Sequence, residues 1–173
     1  YSGMSSEFIH LHTHSHYSLL DGLTKLDDMV RIAKEQHMDA IALTDHGNMY
    51  GAIEFYKMCK KHGIKPIIGV EAYMAPGARD DKTPTPAGVK KYYHLILLAK
   101  NLTGYKNLMR LVTRANLEGY YYKPRMDKEI LREHHEGIIA LSACMGGELS
   151  QTILKEGIEK AEYPLVIAVG SGK

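Results

Sequence analysis

His10, His12, His14 and His16 fall at every second position of the stretch 8–22, so four of the chain's ten histidines share one short period. A period of two belongs to a strand. An extended chain here projects His12 and His14 from one face and turns Ile9 and Leu11 the other way, into a core. Neutral imidazole suits zinc, manganese or iron, and Asp21 just downstream adds a carboxylate for a mixed nitrogen–oxygen site. One H-x-H pair is a weak motif, and the same pattern describes a histidine-rich strand in solvent. The other reactive residues decide between the two. Thr44-Asp45-His46-Gly47 follows the apolar run 40–43, Glu71 ends the run 66–70, and Cys144 follows the run 138–142. Taken singly, His46 caps a turn, Glu71 is a solvated carboxylate and Cys144 is a small buried hydrophobe. Taken together, His12, His14, Asp21, His46, Glu71 and Cys144 sit at four strand ends, which predicts a polynuclear metal site. His94 opens its strand instead of ending it. A parallel strand would carry it to the opposite rim, whereas an antiparallel hairpin of 70–75 with 91–97 brings it into the cluster. The hairpin is the arrangement expected here.

These residues need elements to hold them. Candidate strands cover 8–12, 40–43, 66–70, 93–99, 138–142 and 165–169. Between them, residues 25–37 put Leu26, Met29, Val30 and Ala33 on one helical face behind Thr24, with Asp27 three residues on as a capping box. Residues 50–62 set Ile53, Tyr56 and Lys60 in one stripe, and Gly63 ends the helix. Residues 104–116 align Tyr105, Leu108, Leu111, Val112 and Ala115 behind Thr103 as N-cap. Shorter helices are expected at 147–155 and 157–162. The Pro- and Gly-rich stretch 75–90 reads as an exposed, mobile loop. Strands alternating with helices imply a parallel sheet, either open and doubly wound or closed as a barrel. Both forms gather reactive residues where strands end.

At 173 residues the chain is one domain's worth, and 45% hydrophobic with 24% charged residues is ordinary for a globular protein. Lys and Arg number 22 against 20 Asp and Glu, so a nucleic-acid contact would have to be a local patch. The apolar runs are strand-length, too short to span a membrane. Two cysteines, Cys59 and Cys144, build no disulfide framework and point to a reducing cytoplasm. Residues 1–5 read as an expression scar with a natural start near Met4.

The stretch His10-Leu11-His12-Thr13-His14 with Tyr17-Ser18-Leu19-Leu20-Asp21-Gly22 resembles the PHP (polymerase and histidinol phosphatase) family. So do 42–51, Ala-Leu-Thr-Asp-His-Gly-Asn-Met-Tyr-Gly, and 65–73, Lys-Pro-Ile-Ile-Gly-Val-Glu-Ala-Tyr. The blocks 93–101, 118–125 and 141–144 are similar to the branch carried at the N-terminus of C-family bacterial replicative polymerases. The resemblance covers about residues 7–160. It implies a distorted (β/α)7 barrel, incomplete here at about six strands. It also implies up to three divalent ions, zinc, manganese or iron, on His12, His14, Asp21, His46, Glu71, His94 and Cys144. Asp45 and His46 become the catalytic pair, with Asp45 as an acceptor fixing a histidine tautomer. The implied activity is phosphoester hydrolysis, in polymerase members a 3′–5′ exonuclease on a DNA 3′ end. Lys123, Arg125 and Tyr121 would hold the strand by phosphate contact and stacking, although a structural tyrosine cluster at Pro124 is the alternative. The implied partners are the rest of the polymerase and a separate proofreading exonuclease.

The family's closing Asp-x-His pair is missing. After Lys160 the chain reads Ala-Glu-Tyr-Pro-Leu-Val-Ile-Ala-Val-Gly-Ser-Gly-Lys, which implies a fragment or internal deletion with weak metal binding and little or no nuclease activity. Residues 163–169 could supply a substitute closing strand, and 170–173 read as a linker. A non-catalytic brace or docking domain with a degenerate site is the rival reading, and a stand-alone histidinol-phosphate-type phosphatase is the third.

Overall fold

The computed structural model describes residues 8–161. The expected strand at 165–169 and the linker at 170–173 lie outside them. Helix α1 (Leu26–Glu35) buries Leu26, Met29, Val30 and Ala33, the face that the spacing predicts. Its N-cap is Lys25, with no side-chain cap bond. Thr24 lies one residue too early for that role, and its carbonyl accepts from the His16 N–H at 2.9 Å. Helix α2 (Ala52–His62) ends at Gly63 in the left-handed region as expected, but it buries Ala52, Phe55 and Cys59. The Ile53 and Tyr56 stripe faces solvent. Helix α3 (Leu102–Leu117) is capped by the Asn101 side chain, which accepts from the Gly104 N–H, and not by Thr103.

Strand β1 (Ala40–Leu43) is buried throughout and pairs in parallel with the first half of β2 (Lys65–Met74). Strand β3 (Tyr93–Ala99) returns antiparallel to β2, with Tyr73 opposite His94 and Glu71 opposite Ile96. Of the two arrangements open to His94, this is the expected hairpin. Strands β4 (Tyr120–Tyr121) and β5 (Lys123–Met126) form a tight hairpin, and β5 continues β2's parallel edge beyond β1. The short helix α4 (Lys128–Glu133) leads to β6 (Ile138–Leu141), antiparallel to β3. Helix α5 (Glu148–Glu156) and a 3₁₀ turn at Ile158–Lys160 close the described chain. The fold is α/β with one mixed six-stranded sheet, in which β1, β2 and β5 run parallel and β3 runs against both of its neighbours.

Residues 8–12 are not a strand. Their backbone runs beside β1 through two bonds, Ala42 N–H to His10 O and Thr44 N–H to Thr13 O, each 2.9 Å, with a bend at 11–12 between them. Phe8, Ile9 and Leu11 are accordingly exposed and do not enter a core.

Strand β2 separates packing from chemistry. Val70, Ala72 and Met74 join Leu97, Leu108, Leu111, Met126 and Ile130 in a core beneath α3. The alternate residues Gly69, Glu71 and Tyr73 face the other way, over Ala42, Ile96 and Leu98. A second core of Leu26, Val30, Ile41, Leu43, Phe55 and Cys59 fixes α1 and α2 on β1. Each fully buried side chain of this size contributes about 1.5–3 kcal/mol.

Candidate metal centre

Glu71 is the hub. It lies inside β2, three residues before the strand ends, and is 1% exposed. The backbone after β1 is bonded to it on both sides: Gly47 N–H to Glu71 O at 2.9 Å and Glu71 N–H to Asp45 O at 3.0 Å. That pairing sets His46 beside Glu71. Gly47 has φ +62, and a Cβ there would come within 2.9 Å of the Tyr73 ring, so the turn requires glycine.

Four imidazoles surround the Glu71 carboxylate. His12 Nε2 is 3.1 Å, His14 Nε2 3.0 Å and His46 Nδ1 3.0 Å from Oε2, while His94 Nδ1 is 2.7 Å from Oε1. Asp21 Oδ2 meets His46 Nε2 at 2.8 Å. Asp21 is presented by a turn in which Gly22 passes the Ser15 carbonyl so closely that a Cβ would lie 2.1 Å from its oxygen. Three overlapping triads result: His12, His14 and Glu71; His14, Asp21 and His46; His46, Glu71 and His94. Within each, the ligand atoms all lie within 4.8 Å of one another.

The donor set fits cations. Glu71 Oε1, His46 Nδ1 and His94 Nδ1 are buried without a directed hydrogen bond, although their separations are short. Atoms that close, with their lone pairs not aimed at a proton between them, converge on a shared space, as ligands do around an ion. Burial alone would raise the Glu71 pKa, but His14, His46, His94 and His12 together hold it far below the usual carboxylate range. Burial likewise opposes a charge on His46, yet Glu71 and Asp21 draw its pKa upward.

Asp45 does not serve as the acceptor for His46. It is 1% exposed and faces away from the cluster, accepting from Ser15 N–H at 2.7 Å, Ser15 Oγ at 2.8 Å and Ser18 Oγ at 2.6 Å. Ser18 Oγ in turn accepts from the His46 backbone N–H at 3.1 Å and stands 3.4 Å from His14 Nδ1. With the Ser18 proton committed to Asp45, a proton on His14 Nδ1 points at Ser18, and Nε2 presents a lone pair toward Glu71. In that tautomer two lone-pair groups face each other, an arrangement that a bound cation between them would satisfy. Ser15 and Ser18 were missed in the sequence. Their offsets from His14 carry no recognisable period, and only the turn at 18–22 reveals them.

Cys144 is exposed and belongs to none of the three triads. It still lies close to them: Gly146 stands between, its Cβ position 3.3 Å from His94 Nδ1 and 3.5 Å from Cys144 Sγ. The cysteine therefore neighbours His94 through the loop after β6.

The three expected strand-binding residues divide. Lys123 is exposed, with Nζ 5.5 Å from the Tyr73 ring centroid. Tyr121 is half-buried against Tyr122 and lies under the Arg125 guanidinium, 4.9 Å away. Arg125 itself is 4% exposed and donates to the carbonyls of Gly119, Arg79 and Asp81 at 3.2, 3.0 and 2.7 Å. Its donors hold the 79–81 loop, so it is not available to a nucleic acid. Arg79 anchors the same loop, which is otherwise exposed as expected. Among the described residues no helix is long and apolar enough to cross a membrane.

A family model described as "PHP domain" matches residues 10–166. The chain is 54% identical over 155 residues to DNA polymerase III subunit alpha of Treponema pallidum, covering 90% of this chain and 13% of that protein. It is 52% identical over 165 residues to the Thermus aquaticus protein of the same name, covering 94% and 14%. The chain thus spans about one seventh of the length of the relatives it matches. A solved two-domain protein from Bacteroides vulgatus, described as containing a predicted PHP-like metal-dependent phosphoesterase, aligns over 87% of this chain and 41% of its own. It does so at 18% identity and a TM-score of 0.47.

Proposed function

The chain belongs to the PHP domain family, and from that premise we propose that it is a metal-dependent phosphoesterase centre of a bacterial DNA polymerase III alpha subunit. It would act as a 3′–5′ exonuclease on DNA ends in the cytoplasm. The observation that carries this reading is the buried Glu71 ringed by four imidazoles, with Glu71 Oε1, His46 Nδ1 and His94 Nδ1 at short range but without a directed hydrogen bond. His12, His14 and Glu71 would hold one ion, His14, Asp21 and His46 a second, and His46, Glu71 and His94 a third. Cys144 joins through its place beside His94. Zinc, manganese and iron all suit this nitrogen-rich set. Bound divalent ions supply Lewis acidity that activates water and neutralises charge on a phosphoryl oxygen. The chain's own part is to keep the imidazoles aimed. Asp45, Ser15 and Ser18 lock the His14 ring, and Asp21 holds His46 from the solvent side. Lys123 stands where it can pair with a phosphate. The relatives' names make the rest of the polymerase the relevant partner, and a separate proofreading exonuclease is the second partner of this reading.

Two assays test this reading. Metal analysis of protein purified without chelator should find bound divalent ion, and 3′-labelled single-stranded DNA should shorten from its 3′ end in a chelator-sensitive way. Ion retained without any turnover of DNA or of a simple phosphodiester would overturn the enzymatic reading in favour of a docking domain.

A further inference from the structure

A cleft of about 450 Å³ opens beside the histidine cluster, sharing His46, His94 and Asp21 as one wall. Its other walls are unusually aromatic, with Tyr50, Tyr73, Tyr92, Tyr120 and Tyr122 all lining it. The rings differ in how they are held. Tyr73 is buried and packs edge-on against Tyr92 at 4.9 Å, and Tyr92 lies parallel to His94 at 6.0 Å. These two make a fixed back wall that runs into the cluster. Tyr50 and Tyr120 are 73% and 55% exposed, and among the described residues no other ring or cation sits on either. Two cations stand at the mouth: Lys91 Nζ lies 3.5 Å over the Tyr122 ring, and Lys123 Nζ points over Tyr73.

Open aromatic faces, flanking lysines and a neighbouring cation-binding cluster suit a ligand with a flat ring at one end and a phosphoester at the other. We propose that this cleft takes the unpaired terminal nucleotide of a single DNA strand. Its base stacks on Tyr50 or Tyr120, its backbone phosphates pair with Lys91 and Lys123, and its scissile phosphate reaches the cluster. This rests on the phosphoesterase reading and adds specificity to it. Every base has a π-face, so stacking discriminates little between sequences. A base still paired in a duplex cannot offer that face, so the cleft selects frayed ends over paired ones.

The test separates this proposal from the chemistry by measuring binding alone, in chelator, with the whole 173-residue chain. The probe is a 5′-fluorescein thymidine hexamer read by anisotropy, against a hexamer of abasic residues carrying the same phosphates. The base-bearing strand should bind at least about tenfold tighter, the loss expected when one stacking contact goes. Tyr50→Ala or Tyr120→Ala should weaken the thymidine hexamer about tenfold and leave the abasic strand unchanged. Tyr50→Phe and Tyr120→Phe should restore native binding, because the ring and not the hydroxyl does the stacking. Equal affinity for the two strands, or native affinity in both alanine variants, would overturn the proposal. A chain that binds through these tyrosines yet hydrolyses nothing fails the phosphoesterase reading alone. One that hydrolyses DNA but treats abasic and base-bearing strands alike fails only this one.

Discussion

Two clusters of charge, one around Arg79 and one around Glu71, are built by contrasting rules. In one, Arg79 donates from its backbone N–H to Asp127 at 2.9 Å. Its guanidinium donates to Glu118 at 2.6 Å, to Asp127 at 3.0 Å and to Glu129 at 2.8 Å. The second oxygen of Asp127 caps α4 through the Ile130 N–H, and Arg114 donates to Glu118. Every close approach there has a directed donor, and hydrogen bonds from Arg114 and Arg79 hold the Glu118 pKa down to about 2. Around Glu71 the approaches are equally short, but three buried atoms lack a directed partner. Evolutionary pressure for stability alone would have produced the first arrangement twice, because an unmatched buried polar group costs about 1–3 kcal/mol. The Arg79 cluster is finished as it stands, while the Glu71 cluster has the donor set to take up cations.

Substitutions in the two clusters should therefore fail differently. The largest effect is expected for Glu71→Gln, which removes the anion common to two of the triads. Zinc or manganese affinity by titration calorimetry should fall about a thousandfold, about 4 kcal/mol. Affinity unchanged within a few-fold would erase the distinction between the clusters. Next comes Arg79→Met, which strands the buried Asp127 carboxylate. It should destabilise the fold by about 3 kcal/mol, a drop of roughly 6–12 °C in melting temperature, while ion affinity stays native. A loss of ion binding there would show that the clusters are coupled. Ser18→Ala acts at one remove, releasing His14 from Asp45. It should weaken ion binding about tenfold with folding preserved, as outer-sphere changes do. A native titration would mean that His14 needs no such hold. The smallest effect concerns the thiols. Saturating ion should slow Cys144 alkylation a few-fold by occupying the space beside His94. Cys59, buried with its thiol pushed up to about 12 by desolvation, should stay unreactive throughout. Equal Cys144 rates with and without ion would remove it from the site.

Much of this contrast is visible in the chain itself. The types and spacing of His12, His14, Asp21, His46, Glu71 and His94 suggested one cluster, and of the two arrangements open to His94 the antiparallel hairpin is the one that β2 and β3 make. The strand-end rule worked for the wrong reason at Glu71, which sits within β2 because Ala72 and Met74 extend the strand toward β5. The strand predicted at 8–12 failed because its alternation serves a bent segment along β1, so Ile9 and Leu11 have no core to enter. Caps were misplaced by one or two residues: Lys25 stands at the start of α1 in place of Thr24, and the Asn101 side chain caps α3 in place of Thr103. Arg125 and Asp45 look like surface chemistry by type, yet both are buried in polar contacts, most of which join residues 27 to 46 positions apart. No local period encodes such contacts.

The alternation along β2 has a consequence for how such a domain can change over generations. Val70, Ala72 and Met74 belong to the core and Glu71 to the cluster, so inserting or deleting a single residue would exchange the two faces and ruin both at once. Point replacement is the only gentle route. A lineage can swap Glu71 or any of the histidines for inert residues and still inherit an intact scaffold, which makes the chemistry here dispensable in a way that the shape is not.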